Sequence, residues 1–222
     1  DGSPVKITKA AARQPRSRMG YKQGIELRID TALKIIIIKS ANDVSHALAE
    51  AVAGSVASFV GRMNQEAARL GMKNTRFANS NGLHNSGQYS SVRDMAVLAS
   101  RIMTEFPQYS EFFKAVAIKT PVRTHYSYNL LLERFPGTTG MKTGFVCASG
   151  YNMVATANVG GKRLVAVVMG RDSQTDRAVS AAKLFATKAN AAGIGNIFSE
   201  APSGNDPRNM RPVLCTQEAR AA

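Results

Sequence analysis

Lys142, Thr143 and Gly144 stand in direct succession, just ahead of two β-rich runs at residues 150–157 and 163–169. A cation, a hydroxyl and a residue without a side chain, set on one strand edge, suit the gripping of a peptide that ends in a carboxylate. The cation supplies positive potential, the hydroxyl can donate a hydrogen bond, and the glycine lets a ligand backbone lie close. A second group, Ser40-Ala41-Asn42-Asp43, has its serine 102 residues before Lys142. A serine hydroxyl can relay a proton, and an asparagine amide can hold a substrate carbonyl or a neighbouring lysine. Strings this short are common by chance, and Ser40, Asn42 or Asp43 could equally cap the helix that follows.

The elements that must position these groups can be read from periodicity. Residues 1–30 are polar and basic, with β-prone pieces at 5–8 and 25–29. Residues 31–39 stay open. Ile35, Ile36, Ile37 and Ile38 read as a buried strand by β-branching, whereas Thr31-Ala32-Leu33-Lys34 could start a helix. Helices are expected over 43–53 (Val44, Ala47, Leu48, Ala51 and Val52 on one stripe) and 55–70 (Val56, Phe59, Val60, Met63, Ala67 and Leu70), the second stopped by Gly71. Another is expected over 91–106, opened by the capping-box-like Ser91 and Asp94, with Met95, Leu98, Ala99, Ile102, Met103 and Phe106 inward. A last one covers 176–191, with Val179, Ala182, Leu184 and Phe185 inward. Asn79 to Leu83 reads as a polar loop, and 158–162 as the turn of a hairpin. Helices, then a hairpin, then a helix imply an α+β fold with helices packed on an antiparallel sheet. The expected organisation is one domain over 1–195 and a Gly-, Pro- and Asn-rich tail over 196–222.

The 222 residues carry a net charge of +14. That excess suits an anionic polymer, nucleic acid or lipid, or else a solvated basic surface, since the Lys and Arg residues are dispersed. No helix-turn-helix, zinc-finger or aromatic RNA-binding pattern is present, so a nucleic-acid partner has charge as its sole support and is not expected. No run approaches the ~18 apolar residues of a membrane span. Asp1-Gly2-Ser3-Pro4 reads as a turn rather than a leader, which points to mature or trimmed material. Cys147 and Cys215 form no C-x-x-C pair, and His46, His84 and His125 have no metal-ligand spacing. In an oxidising compartment the two cysteines could pair and pin the tail to the body; otherwise they are unrelated thiols.

Together these stretches resemble the serine-type D-alanyl-D-alanine carboxypeptidases, the low-molecular-mass penicillin-binding proteins. Lys-Thr-Gly and Ser-x-Asn are two of that group's three signatures. The likeness extends through Phe77 to Leu83, Tyr89 to Ala96, Gly137 to Phe145 and Gly150 to Ala157, and spans about residues 5–190. It implies the α+β transpeptidase fold with a helical subdomain, no metal or organic cofactor, and export to the periplasm or the outer face of the cytoplasmic membrane. It implies peptidoglycan stem peptides and β-lactams as partners. By resemblance, Lys142 aids proton transfer, Ser40 and Asn42 line the opposite wall, and Thr143 and Arg177 hold the carboxylate of the terminal D-Ala. A guanidinium suits that task because it binds a carboxylate through two parallel hydrogen bonds. Arg177 could otherwise be a surface helix arginine. Gly144 admits the substrate backbone, and the Phe145 N–H serves as an oxyanion donor.

The third signature, Ser-x-x-Lys, which supplies the nucleophile, should lie well upstream of the Ser-x-Asn serine on a helix start. Only 39 residues precede Ser40. Ser3-Pro4-Val5-Lys6 sits too close to Ser40, and Ser180-Ala181-Ala182-Lys183 follows Lys142 in the wrong order. The expectation is a chain that begins inside its domain, with the nucleophile in a missing N-terminal segment, in a separate partner chain, or lost in a pseudoenzyme. Rival readings are a class A-like β-lactamase, for which no Glu-x-x-Leu-Asn string is present, and a non-catalytic cell-wall binding protein.

Overall fold

A computed structural model of the chain describes residues 4–188, 196–199 and 208–216. Strand β1 (Val5–Lys6) leads into helix α1 (Lys9–Ala12), and β2 (Glu26–Leu27) returns antiparallel to β1. Helix α2 (Ile29–Lys39) then settles the open stretch. The isoleucines are helical because Ala32, Ile35 and Ile38 fall on one buried face, so packing overrides their β-preference. Helices α3 (Asn42–Ala53), α4 (Val56–Arg69) and α5 (Val92–Glu105) follow. Ser55 and Ser91 cap α4 and α5 by accepting from the Ser58 and Asp94 amides. Gly71, at φ 69°, stops α4 as expected. Neither Ser40, Asn42 nor Asp43 caps α3; its N-cap is Ala41, without a side-chain bond.

A short 3-10 turn leads to α6 (Ser110–Lys114), the hairpin β3 (Ala117–Lys119) and β4 (Thr124–Tyr126), and α7 (Leu131–Arg134). The main sheet comprises β5 (Thr138–Val146), β6 (Gly150–Val159) and β7 (Lys162–Arg171), antiparallel in the order β5-β6-β7. Gly160 and Gly161 join β6 to β7 with φ 57° and 76°, the paired left-handed values that a tight hairpin turn demands. Helix α8 (Gln174–Lys188) covers one sheet face, where Ala178, Ala181 and Phe185 pack on Met153, Ala155, Ala157, Ala166 and Val168. The other face meets α5 and α6 around a cavity of about 200 Å³ lined by Met103, Phe113, Met141 and Thr156. A second cluster joins Val5, Ile7, Ala32, Ile35 and Val44, and a third joins Ala67, Met72 and Val97. The α+β architecture with a helical part is therefore the one expected.

Five residues assigned inward are exposed: Ala51, Val52, Phe106, Val179 and Leu184. Val52 lies in the last turn of α3, where the chain bends by 82° into α4, and Phe106 lies past the end of α5. On α8 the buried stripe is rotated: it runs through Arg177, Ala178, Ala181 and Phe185, and a pattern that scores arginine as polar misses it. Of the C-terminal stretch assigned to a tail, short helix α9 (Arg211–Leu214) is attached to the body. Cys147 and Cys215 form a disulfide, and the Met210 amide donates to the Ala148 carbonyl at 2.9 Å.

Candidate active site

Helix α2 ends at Ser40, which takes the left-handed conformation (φ 52°, ψ 45°), the sole non-glycine residue at positive φ among the described residues. The turn is held by the segment before β2. The Asn42 amide donates to the Ser17 carbonyl at 2.7 Å, and the Ser17 hydroxyl donates to the Lys39 carbonyl at 3.1 Å. This geometry turns the Ser40 hydroxyl toward β5, where it accepts a hydrogen bond from Lys142 Nζ. The helical wall and the sheet wall thus meet through the two residues that lie 102 positions apart.

Lys142 Nζ also donates to the Thr143 carbonyl at 2.6 Å. Burial, and then the nearby Arg177 guanidinium, lower the Lys142 pKa to about 8. A lysine so tuned can give and take a proton near neutral pH, with a serine hydroxyl in contact to pass it on. Thr143 is buried. Gly144 is open: a Cβ built on it meets no atom within 4 Å. Neither packing nor backbone strain within the protein requires glycine there, so the vacant space faces whatever binds along the edge strand. Phe145 is half-exposed and stacks on Tyr151 at 4.2 Å between centroids.

Arg177 is not a surface arginine; it is 3% exposed. Its Nη1 donates to the carbonyls of Gly144 (3.2 Å) and Asn152 (3.4 Å), and its Nη2 to that of Tyr128 (3.1 Å). The Nε is buried without an acceptor, and burial lowers the pKa of the group. Among the described residues no carboxylate forms a salt bridge with Arg177 or Lys142. Two neighbouring cations without an anion make a site of positive potential beside Gly144.

Asn42 Nδ2 donates to the Pro15 carbonyl at 3.1 Å and the residue is 6% exposed, so the amide ties the start of α3 to the segment before β2. Of the two Ser-x-x-Lys strings, Ser3 lies outside the described residues; the Ser180 hydroxyl donates to Asp176 Oδ1 at 3.5 Å and Lys183 is exposed, so that string makes no serine–lysine pair. Sequence reasoning missed Lys39 and Tyr128, whose Nζ and phenol oxygen lie 2.7 Å apart beside Ser40. The one available signal was the position of Lys39 next to Ser40.

Comparison with known proteins gives the chain its family. The model of the D-alanyl-D-alanine carboxypeptidase family (peptidase family S11) matches residues 2–173. The carboxypeptidase DacF of Bacillus subtilis is 35% identical over 82% of this chain and 48% of its own length. DacC of Escherichia coli is 39% identical over 72% of this chain and 40% of its own length. Among solved structures, penicillin binding protein 5 of Haemophilus influenzae superposes with a TM-score of 0.78 at 32% identity, over 83% of this chain and 55% of that one. DacD of Francisella tularensis gives 0.78 at 28% identity, over 82% and 57%. The chain spans about half the length of the curated relatives it matches. With a family model matched over most of its length, the chain belongs to the D-alanyl-D-alanine carboxypeptidase family.

Proposed function

We propose that the protein removes the terminal D-Ala from D-Ala-D-Ala stem peptides of peptidoglycan through a serine acyl-enzyme, and that β-lactams trap that intermediate. The observation that carries the reading is the contact of Lys142 Nζ with Ser40 Oγ, set beside a buried arginine without a carboxylate partner and an edge strand left open at Gly144. The substrate C-terminus lies along β5 in the space above Gly144. Its carboxylate takes its charge partner from Arg177, which has one Nη2 hydrogen and the Nε–H uncommitted, with the Thr143 hydroxyl beside it. The Phe145 N–H, on the same edge, assists at the scissile carbonyl.

The nucleophile is the serine of a Ser-x-x-Lys pair, which is assigned to none of the serines described above. Its oxygen attacks the carbonyl carbon of the penultimate residue, and its proton passes to the paired lysine. The amine of the terminal D-Ala departs as the peptide bond breaks. Lys142 supplies the proton it needs, through the Ser40 hydroxyl. Water then cleaves the ester and releases the shortened peptide. The reading asks for no metal or organic cofactor. It places the protein outside the cytoplasmic membrane, where a net charge of +14 suits an anionic wall.

The test is labelling by a fluorescent penicillin of the protein expressed from its own gene, with whatever is encoded before Asp1. A covalent band that unlabelled D-Ala-D-Ala peptide competes away is expected. The absence of any band removes the reading. The 222 residues alone are expected to give none, and a strong band from them would place the nucleophile among the serines set aside here.

A further inference from the structure

Ser40 holds a left-handed backbone conformation that is costly for a serine, so contacts around it must favour it. On one side the Ser17 segment does so, as described. On the other side stands Tyr128, on the link between β4 and α7. Its phenol oxygen accepts from Lys39 Nζ at 2.7 Å. Lys39 is the last residue of α2 and the covalent neighbour of Ser40. The main-chain carbonyl of Tyr128 faces the opposite wall. It accepts from Arg177 Nη2 at 3.1 Å and from Gln174 Nε2 at 3.3 Å. One residue therefore touches the end of the helix that presents Ser40 and the guanidinium beside Lys142.

The link itself is stiff. The Ser127 amide donates to the Val116 carbonyl at 2.7 Å, and the 4%-exposed Asn129 accepts from the Leu131 amide at 3.1 Å. The 2.7 Å bond fixes the Lys39 ammonium at the hydroxyl, beyond the edge of the ring. Resting on the carboxypeptidase reading above, we propose that Tyr128 is a positioning residue: its hydroxyl, through Lys39, sets the Ser40 hydroxyl against Lys142, while its carbonyl sets Arg177.

The two halves of this role separate experimentally. Tyr128→Phe keeps the ring and the carbonyl and removes only the hydroxyl, so the hold on Arg177 survives. In the protein expressed from its own gene, about a tenfold fall in kcat for a D-Ala-D-Ala peptide is expected, with KM unchanged, since misplacing a relay group slows chemistry and not binding. Lys39→Met should produce the same fall, and the double variant no further loss, because both remove one contact. Lys39→Arg, whose guanidinium can still reach the phenol, should restore most of the rate. Thermal melting of each variant checks that folding is intact, and Lys39→Met serves alone if Tyr128→Phe does not fold. Wild-type kcat in Tyr128→Phe, a change confined to KM, or losses that multiply in the double variant each overturn the inference and leave the carboxypeptidase reading standing. A wild-type protein that neither hydrolyses the peptide nor takes up penicillin overturns that reading, and this inference with it.

Discussion

Two withdrawn carboxylates and two withdrawn cations in this chain have opposite surroundings. Asp43 is fully buried and accepts from the amides of Met19, Gly20 and Val44 at 2.9 to 3.1 Å. Asp94, equally buried, accepts from the Asn74 amide, the Thr75 hydroxyl and Arg93 Nη1. Each ties a loop to a helix start. Lys142 and Arg177 instead give their protons to carbonyls and one serine, with no counter-ion among the described residues. A buried charge is costly unless paired, so a charge kept unpaired is retained for something other than stability. The carboxylates hold the fold together; the cations await an anion.

The sharpest break of that contrast comes from removing one charge of each kind. Lys142→Met should lower the rate of penicillin acylation by about 10³-fold, yet leave stability unchanged or raise it slightly, because an uncompensated charge leaves a poor solvent. Asp43→Ala should do the reverse: it strands three amides and should cost about 3–5 kcal/mol in denaturant unfolding. A Lys142→Met protein as unstable as Asp43→Ala would make the lysine structural and erase the distinction. Arg177→Lys comes next. It keeps the charge and loses the planar fork, so KM for a carboxylate-ended peptide should rise about tenfold or more, while the weaker turnover of the same peptide ending in an amide changes little.

Protonation sharpens the contrast further. Lys142 titrates at about 8 in the folded protein against 10.5 as an ordinary lysine. Between those values the unfolded chain binds the extra proton, so the lysine's unfavourable contribution, at most about 3 kcal/mol, is present below pH 8 and relieved as pH rises toward 10.5. Binding of a carboxylate-ended ligand should run the other way and weaken as pH climbs through 8, because the ligand prefers the ammonium. Calorimetric titration across pH 7–10 reads the second trend, and chemical denaturation of wild type against Lys142→Met reads the first. Parallel trends would show that Lys142 is not the group the ligand meets.

Much of this is legible in the sequence, for a local reason. Lys142, Thr143 and Gly144 are adjacent in sequence, and the Gly160-Gly161 turn announces the hairpin behind them, so strand, edge and chemistry travel together. Ser40 could be paired with them only by resemblance, since nothing in its own string distinguishes a relay serine from a capping one. The four isoleucines of α2 remained undecided because β-branching and helical packing pull in opposite directions over so few residues. The family likeness points to Arg177, but the sequence hides its burial, since hydrophobic periodicity cannot count a guanidinium as inward-facing. The Asn42 staple is hidden for a related reason: the Pro15 carbonyl it binds comes from a segment with no periodic signal. Tyr128 was invisible altogether: its partner Lys39 lies 89 residues away, and single tyrosines carry no pattern.

Gly144→Ala tests the smallest feature and isolates it best. The added methyl meets no protein atom within 4 Å, and the backbone there is ordinary strand, so stability should stay within about 0.5 kcal/mol of wild type and could rise through the loss of glycine's freedom in the unfolded chain. Lys142→Met, Asp43→Ala and Arg177→Lys each remove an interaction that the free protein makes; this one adds an atom to a space the free protein leaves empty. Any loss of function therefore reports what enters from outside. A roughly tenfold fall in acylation rate, with an unchanged melting curve, is expected if a peptide backbone or a β-lactam passes over this residue. Full activity would move the bound chain off β5, and Arg177 and Lys142 would then have to meet their anion from another direction.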